Sequence, residues 1–104
     1  MIVYIAAPYT KGDVARNVRR VIATADLLLK MGHIPYVPHL THFWHIISPK
    51  PYEVWTMLDL TFLPFCDVVL RLDGESSGAD NEVKKAVELG IPIYYDVKDL
   101  AEIK

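Results

Sequence analysis

The sequence predicts an α/β fold built on a small, doubly wound parallel sheet. Three observations carry that expectation. Four short β-prone runs alternate with three segments of helical period. The first run, MIVYIAA at residues 1–7, is almost continuously apolar, as a strand covered on both faces must be. A glycine followed by a proline-bearing strand occurs twice, in KMGHIPYV and VELGIPIYY, as two helix-to-strand units of one geometry.

Each element follows from local chemistry. After the first strand, PYTKGD at residues 8–13 is turn-forming. Val14, Val18, Val21, Ile22, Ala25, Leu28 and Leu29 then fall on one side of a helix, with Arg16, Arg19, Arg20 and Lys30 on the other. Gly32 sits where a helix-terminating glycine belongs, and residues 33–37 (HIPYV) form the second strand. Residues 38–51, PHLTHFWHIISPKP, are expected to be the least regular part, since Pro38 and Pro49 disfavour a long helix. Residues 52–63 regain helical spacing through Val54, Trp55, Leu58 and Phe62, and Pro64 ends the segment. Residues 67–72 (DVVLRL) are the third strand, DGESSG a turn, residues 79–89 the third helix and residues 91–95 (IPIYY) the fourth strand. The tail VKDLAEIK reads as a short helix. The expected strand order is 2-1-3-4, an abbreviated flavodoxin- or Rossmann-like three-layer sandwich. Ligands of such sheets bind beyond the carboxyl ends of the strands, where the winding reverses. The loops after strands 1 and 3 meet there.

At 104 residues the chain has room for one domain, residues 1–104, with a thin core. Eleven Lys and Arg against thirteen Asp and Glu leave a net charge of −2, which argues against a protein that grips nucleic acid polymers through a basic face. No apolar stretch approaches the roughly 20 residues of a membrane span, so no membrane partner is expected. The first residues lack the basic start of a secretory leader, and Cys66 stands alone. A soluble cytoplasmic protein is the resulting expectation.

Chemistry concentrates after the third strand, where Asp73, Glu75, Asp80 and Glu82 crowd around Ser76, Ser77 and Gly78. Glycine admits a close approach of backbone to ligand, and the serines suit a helix cap or an oxyanion. Glu82 falls in the opening turns of a helix, whose dipole favours an ionised carboxylate, as attack on an anomeric carbon requires. Ordinary helix capping explains the same acidic residues. Asp59, amid large apolar side chains in WTMLDLTFL, is either on a solvated stripe or buried with a raised pKa suited to proton donation. Tyr9, Thr10, Lys11 and Gly12 form neither a Walker A loop nor a dinucleotide fingerprint, although Lys11 can receive an anion. His39, His42 and His45 recur every third residue without a fixed carboxylate or Cys partner, so loop or interface histidines are favoured over a metal site. Arg71, in a buried strand, needs a partner: Asp73, Glu75 or a substrate phosphate.

These features resemble the nucleoside 2-deoxyribosyltransferase superfamily, which includes 2′-deoxynucleoside 5′-phosphate N-hydrolases. YIAAPYT is similar to the family's first strand and loop, with Ala7 where the transferases usually carry glycine. The stretch from WTMLDLTFLPFCDVVL to GESSGADNEVKKAVELGIPIYY resembles the common core: a helix aspartate, an apolar strand, then a turn leading to a helix glutamate. The resemblance implies Glu82 as nucleophile, Asp59 as leaving-group acid or sugar ligand, and Ser76 at the hydrolases' phosphate-binding serine. Tyr9 would shape the base and sugar pocket. Departures are plain. Asp80 and Asn81 replace small or apolar residues, Val83–Lys85 replaces a Leu-Gly-Tyr/Arg run, and a glycine- and arginine-rich first loop is missing.

The expected function is therefore cleavage or transfer of the N-glycosidic bond of a (deoxy)nucleoside or its 5′-monophosphate, through a glycosyl-enzyme intermediate and with no metal or organic cofactor. Glu82, Asp59 and an auxiliary Asp73 would be catalytic. Ala7, Tyr9, Lys11, Arg71, Ser76, Ser77 and Gly78 would bind substrate. The alternative is a non-catalytic nucleotide-binding or sensing domain of the same fold, which the altered residues around Glu82 favour. A receiver-type phosphoryl-transfer protein is disfavoured because Ala6, Ala7 and Pro8 stand where an acidic pair would be needed. A homo-oligomer through the aromatic segment 39–55 is also expected.

Overall fold

The computed structural model describes residues 1–103, and Lys104, the last residue of the expected tail helix, lies outside them. Four parallel strands, β1 (Ile2–Ala6), β2 (Ile34–Tyr36), β3 (Val68–Arg71) and β4 (Ile93–Tyr94), form one sheet in the order β2-β1-β3-β4. The helices are α1 (Val14–Lys30), α2 (Thr41–Ile47), α3 (Tyr52–Phe62) and α4 (Ser77–Glu88). Strand order and parallel pairing match the expected doubly wound α/β sandwich.

The alternation of β1 builds two cores. Val3 and Ile5 point to one face, where Val21, Ala25 and Leu28 of α1 and Leu100 of a C-terminal 3₁₀ turn (Val97–Leu100) cover them. Tyr4 and Ala6 point to the other, against Leu63, Cys66, Ala79 and Ala86 from the α3 and α4 side. Because both faces are covered, β1 and β3 are buried almost throughout, which accounts for their unbroken apolar runs. Buried His33 fastens the C-terminal turn by donating from Nε2 to the Leu100 carbonyl at 2.8 Å.

Two expectations need correction. The segment after β2 is not irregular: a 3₁₀ turn, Pro38–Leu40, runs directly into α2. Pro38 occupies the first position of that turn, where its missing N–H costs nothing, and α2 ends at Ser48 before Pro49. Along α1, Ile22 and Leu29 stay exposed, so its buried stripe is narrower than the apolar spacing suggests. The tail forms a short helix as its sequence predicts, of the 3₁₀ kind, over Val97–Leu100.

Candidate active site

A cavity of about 290 Å³ opens beyond the carboxyl ends of β1 and β3. Its first wall is the loop after β1. Asn17, on the first turn of α1, fixes that loop by donating from Nδ2 to the carbonyls of Tyr9 (2.9 Å) and Lys11 (2.8 Å). Asp13 caps α1 by accepting from the Arg16 amide at 3.2 Å. The opposite wall is the start of α4, where Ser76 Oγ accepts from the Ala79 amide at 3.0 Å. Of the two roles open to Ser76, the structure shows the helix cap. Gly78 is confined by Tyr52, whose hydroxyl would lie 2.6 Å from any Cβ placed there.

The two loops are also tied together. Lys11 pairs with Glu75 at 2.8 Å in the open, and Gly74, at φ +114°, packs where a Cβ would strike the Pro8 ring.

Two carboxyl groups line the cavity, Glu82 from α4 and Asp59 from α3. Each is held by a tyrosine from the sheet. The Tyr4 hydroxyl donates to Glu82 Oε2, and the Tyr36 hydroxyl donates to Asp59 Oδ1 at 3.2 Å. Tyr4 and Tyr36 are register partners on β1 and β2, with rings stacked at 5.2 Å and 14°. Burial pushes the Glu82 carboxyl up to about 8. It pushes Asp59 up to about 7, against the opposing pull of the Tyr36 hydrogen bond. The expectation that the helix dipole keeps Glu82 ionised is thereby corrected. Glu82 lies in the second turn of α4, where the dipole has faded and desolvation dominates.

Of the residues singled out from the sequence, Glu82, Asp59, Ala7, Tyr9, Lys11, Ser76, Ser77 and Gly78 come together around the cavity. Asp73 and Arg71 do not. The Asp73 carboxylate is almost fully exposed and pairs with Arg20, so its expected auxiliary role is corrected by its position. The Arg71 guanidinium is consumed by the carbonyls of Leu72 and Gly74 and by Asp80, which it reaches at 3.1 Å. That leaves it no place in the cavity wall.

The three histidines divide. His39 Nε2 meets the Pro8 carbonyl at 2.7 Å, His42 Nδ1 meets the Tyr9 hydroxyl at 2.7 Å, and His45 Nδ1 accepts from Trp55 Nε1 at 3.0 Å. Sequence reasoning missed Tyr4, Tyr36 and His39 as parts of the site. A hydroxyl inside a buried strand needs a partner, and that was the available signal for the two tyrosines.

The fold and the cavity define an α/β protein with an open cavity at the switch point of a parallel sheet. The family model described as a domain of unknown function, DUF7768, matches residues 1–96, and the chain belongs to that family. The structure is similar to that of a 2-deoxyribosyltransferase from the psychrotolerant bacterium Bacillus psychrosaccharolyticus, a biocatalyst for nucleoside synthesis. The TM-score is 0.72 and the identity 15%, over 100% of this chain and 93% of that one. A likeness at that identity is a likeness of fold. No curated protein matches the sequence. Among the described residues, no helix is long and apolar enough to cross a membrane.

Proposed function

We propose that the protein cleaves or transfers the N-glycosidic bond of a nucleoside or nucleotide, with Glu82 as nucleophile and Asp59 as proton donor. The observation that carries this reading is the pair of tyrosine-held carboxyl groups in one cavity. In the proposed reaction, a Glu82 oxygen bonds to C1′ while the C1′–N bond breaks and its electron pair stays on the base. Asp59 delivers the proton that the departing nitrogen needs. Water, or the nitrogen of a second base, then attacks C1′, passes its proton to the Asp59 carboxylate and, as the ester C–O bond breaks, frees Glu82 as a carboxylate. With its group near 8, Glu82 is ionised in about a tenth of the molecules at pH 7, enough to react but a limit on rate.

The test is base release from deoxynucleosides and their 5′-monophosphates, with and without a second free base. Release from a monophosphate alone marks a hydrolase. Exchange that needs the second base marks a transferase. The absence of either across the panel overturns the reading.

One observation favours the second reading, a nucleotide-binding domain without turnover: Asp80, Asn81 and Val83–Lys85 depart from the residues that surround the glutamate in the family it resembles. Glu82→Gln separates the two, because a sensor keeps its ligand affinity and has no turnover to lose. We further propose self-association through segment 39–55, on which Phe43, Trp44, Ile46 and Ile47 stand exposed. Sedimentation of the wild type beside Ile47→Glu tests it, with the variant expected to dissociate.

A further inference from the structure

His39 combines two features that rarely meet. It is 95% buried on the cavity wall, its relative exposure being 5%, and its Nδ1 has no hydrogen-bond partner. Among the described residues, it is the one buried side-chain nitrogen or oxygen left in that condition.

The chemistry of the orphaned atom follows from its sister. Nε2 lies 2.7 Å from the Pro8 carbonyl, which can only accept, so Nε2 carries the hydrogen. Burial lowers the pKa of the ring, which keeps it neutral. Nδ1 is therefore a bare lone pair, an acceptor waiting for a donor. The neighbouring polar groups cannot serve. The Tyr9 hydroxyl is engaged with His42, and the Thr41 hydroxyl donates to the Pro38 carbonyl at 2.9 Å. Buried polar atoms in folded proteins are paired, and Nδ1, itself closed to solvent in the empty pocket, gains its missing half when a donor entering the cavity pushes aside the groups that cover it.

We propose that His39 determines specificity in this pocket, its Nδ1 accepting a hydrogen bond from an N–H on the edge of a bound heterocyclic base. This rests on reading the pocket as a nucleoside site. The surroundings favour a flat ring as the donor's carrier. The Tyr9 ring meets His39 edge-on at 5.4 Å, and Trp55 lines the same cavity, giving aromatic surface for a base to pack against. In the proposed chemistry Glu82 is directed at C1′ and Asp59 at the departing ring nitrogen, which leaves the histidine for the outer edge of the base.

The experiment follows the ring nitrogens of His39 by ¹⁵N NMR while the wild-type protein is titrated with the four common deoxynucleosides and their 5′-monophosphates. The tightest binder is then compared with an analogue in which its edge N–H is replaced by C–H or N-methyl. The expected result is an upfield move of the Nδ1 resonance with the parent and none with the analogue, which binds about tenfold more weakly. His39→Phe should erase that tenfold preference while still binding both compounds.

Binding that perturbs Trp55 but leaves Nδ1 unmoved, or an equal affinity for parent and analogue, overturns the inference and leaves the proposed reaction standing. An Nδ1 shift without any base release supports the inference and sinks the reaction. No binding of any of the nucleosides or their 5′-monophosphates overturns both.

Discussion

Two groups of acidic residues in this molecule look alike in sequence and behave oppositely in space. Asp73, Glu75 and Asp80 surround the turn before α4, and each is exposed and paired with a cation: Arg20, Lys11 and Arg71 respectively. Glu82, two residues beyond Asp80, is turned inward. There it meets Asp59, which comes from a different helix 23 residues earlier in the chain. The first group meets water and arginine or lysine. The second meets tyrosine hydroxyls and apolar walls, and its protons are held to about pH 7 and 8. Local crowding of acid therefore says little about chemistry. What separates the groups is the partner each finds, a hydroxyl from the sheet or a cation from the surface.

The largest test of this contrast is Glu82→Gln, which should lower base release at least about a thousandfold while ligand affinity stays within a few-fold. Single-turnover assays and calorimetry check the two halves. Asp59→Asn should follow, with a loss of about a hundredfold or more that is smallest for substrates whose bases leave easily.

The pH profile sharpens the contrast further. The acid must keep its proton and the nucleophile must lose its own, so base release should peak between about 7 and 8 and fall on both sides. Tyr4→Phe should move the alkaline requirement upward, because an ionised Glu82 loses its only side-chain donor.

Stability should respond as well. A carboxyl whose folded pKa is raised binds more protons folded than unfolded, so its burial costs nothing below about pH 4 and destabilises progressively as pH rises toward 8. Glu82→Gln should accordingly melt about 5 °C or more above the wild type at pH 8.5, and the gain should vanish at pH 4. A gain independent of pH would break the argument. The smallest effect belongs to Asp73→Asn, where turnover and melting temperature should both stay within error of the wild type.

Much of the fold was legible because its signals are local. An unbroken apolar run marks β1, a seven-residue apolar spacing marks α1, and Gly32 and Gly90 stop two helices. α2 was not legible, since prolines at both ends of a seven-residue helix read as breaks when they are in fact its boundaries. In the site, Glu82 and Asp59 were legible as carboxyl groups in apolar or glycine-rich company. The reach of Arg71 to Asp80 and of Arg20 to Asp73 was not, because exposed acids near one another offer a cation several equal partners. Tyr4 and Tyr36 were hidden inside strand patterns, where a tyrosine counts as one more apolar residue until its hydroxyl is traced.

The stacked tyrosines carry a last consequence. Neighbouring strands of any sheet lie about 4.8 Å apart, and the ring separation of 5.2 Å between Tyr4 and Tyr36 is close to that repeat. The spacing of the two tyrosines that hold the carboxyl groups is thus inherited from main-chain pairing rather than from the loops that close the cavity. Lengthening or recolouring those loops would change what enters the pocket while the ruler underneath keeps its length. Such an arrangement separates what enters the cavity, which the loops set, from the spacing of the tyrosines beneath it, which the sheet sets.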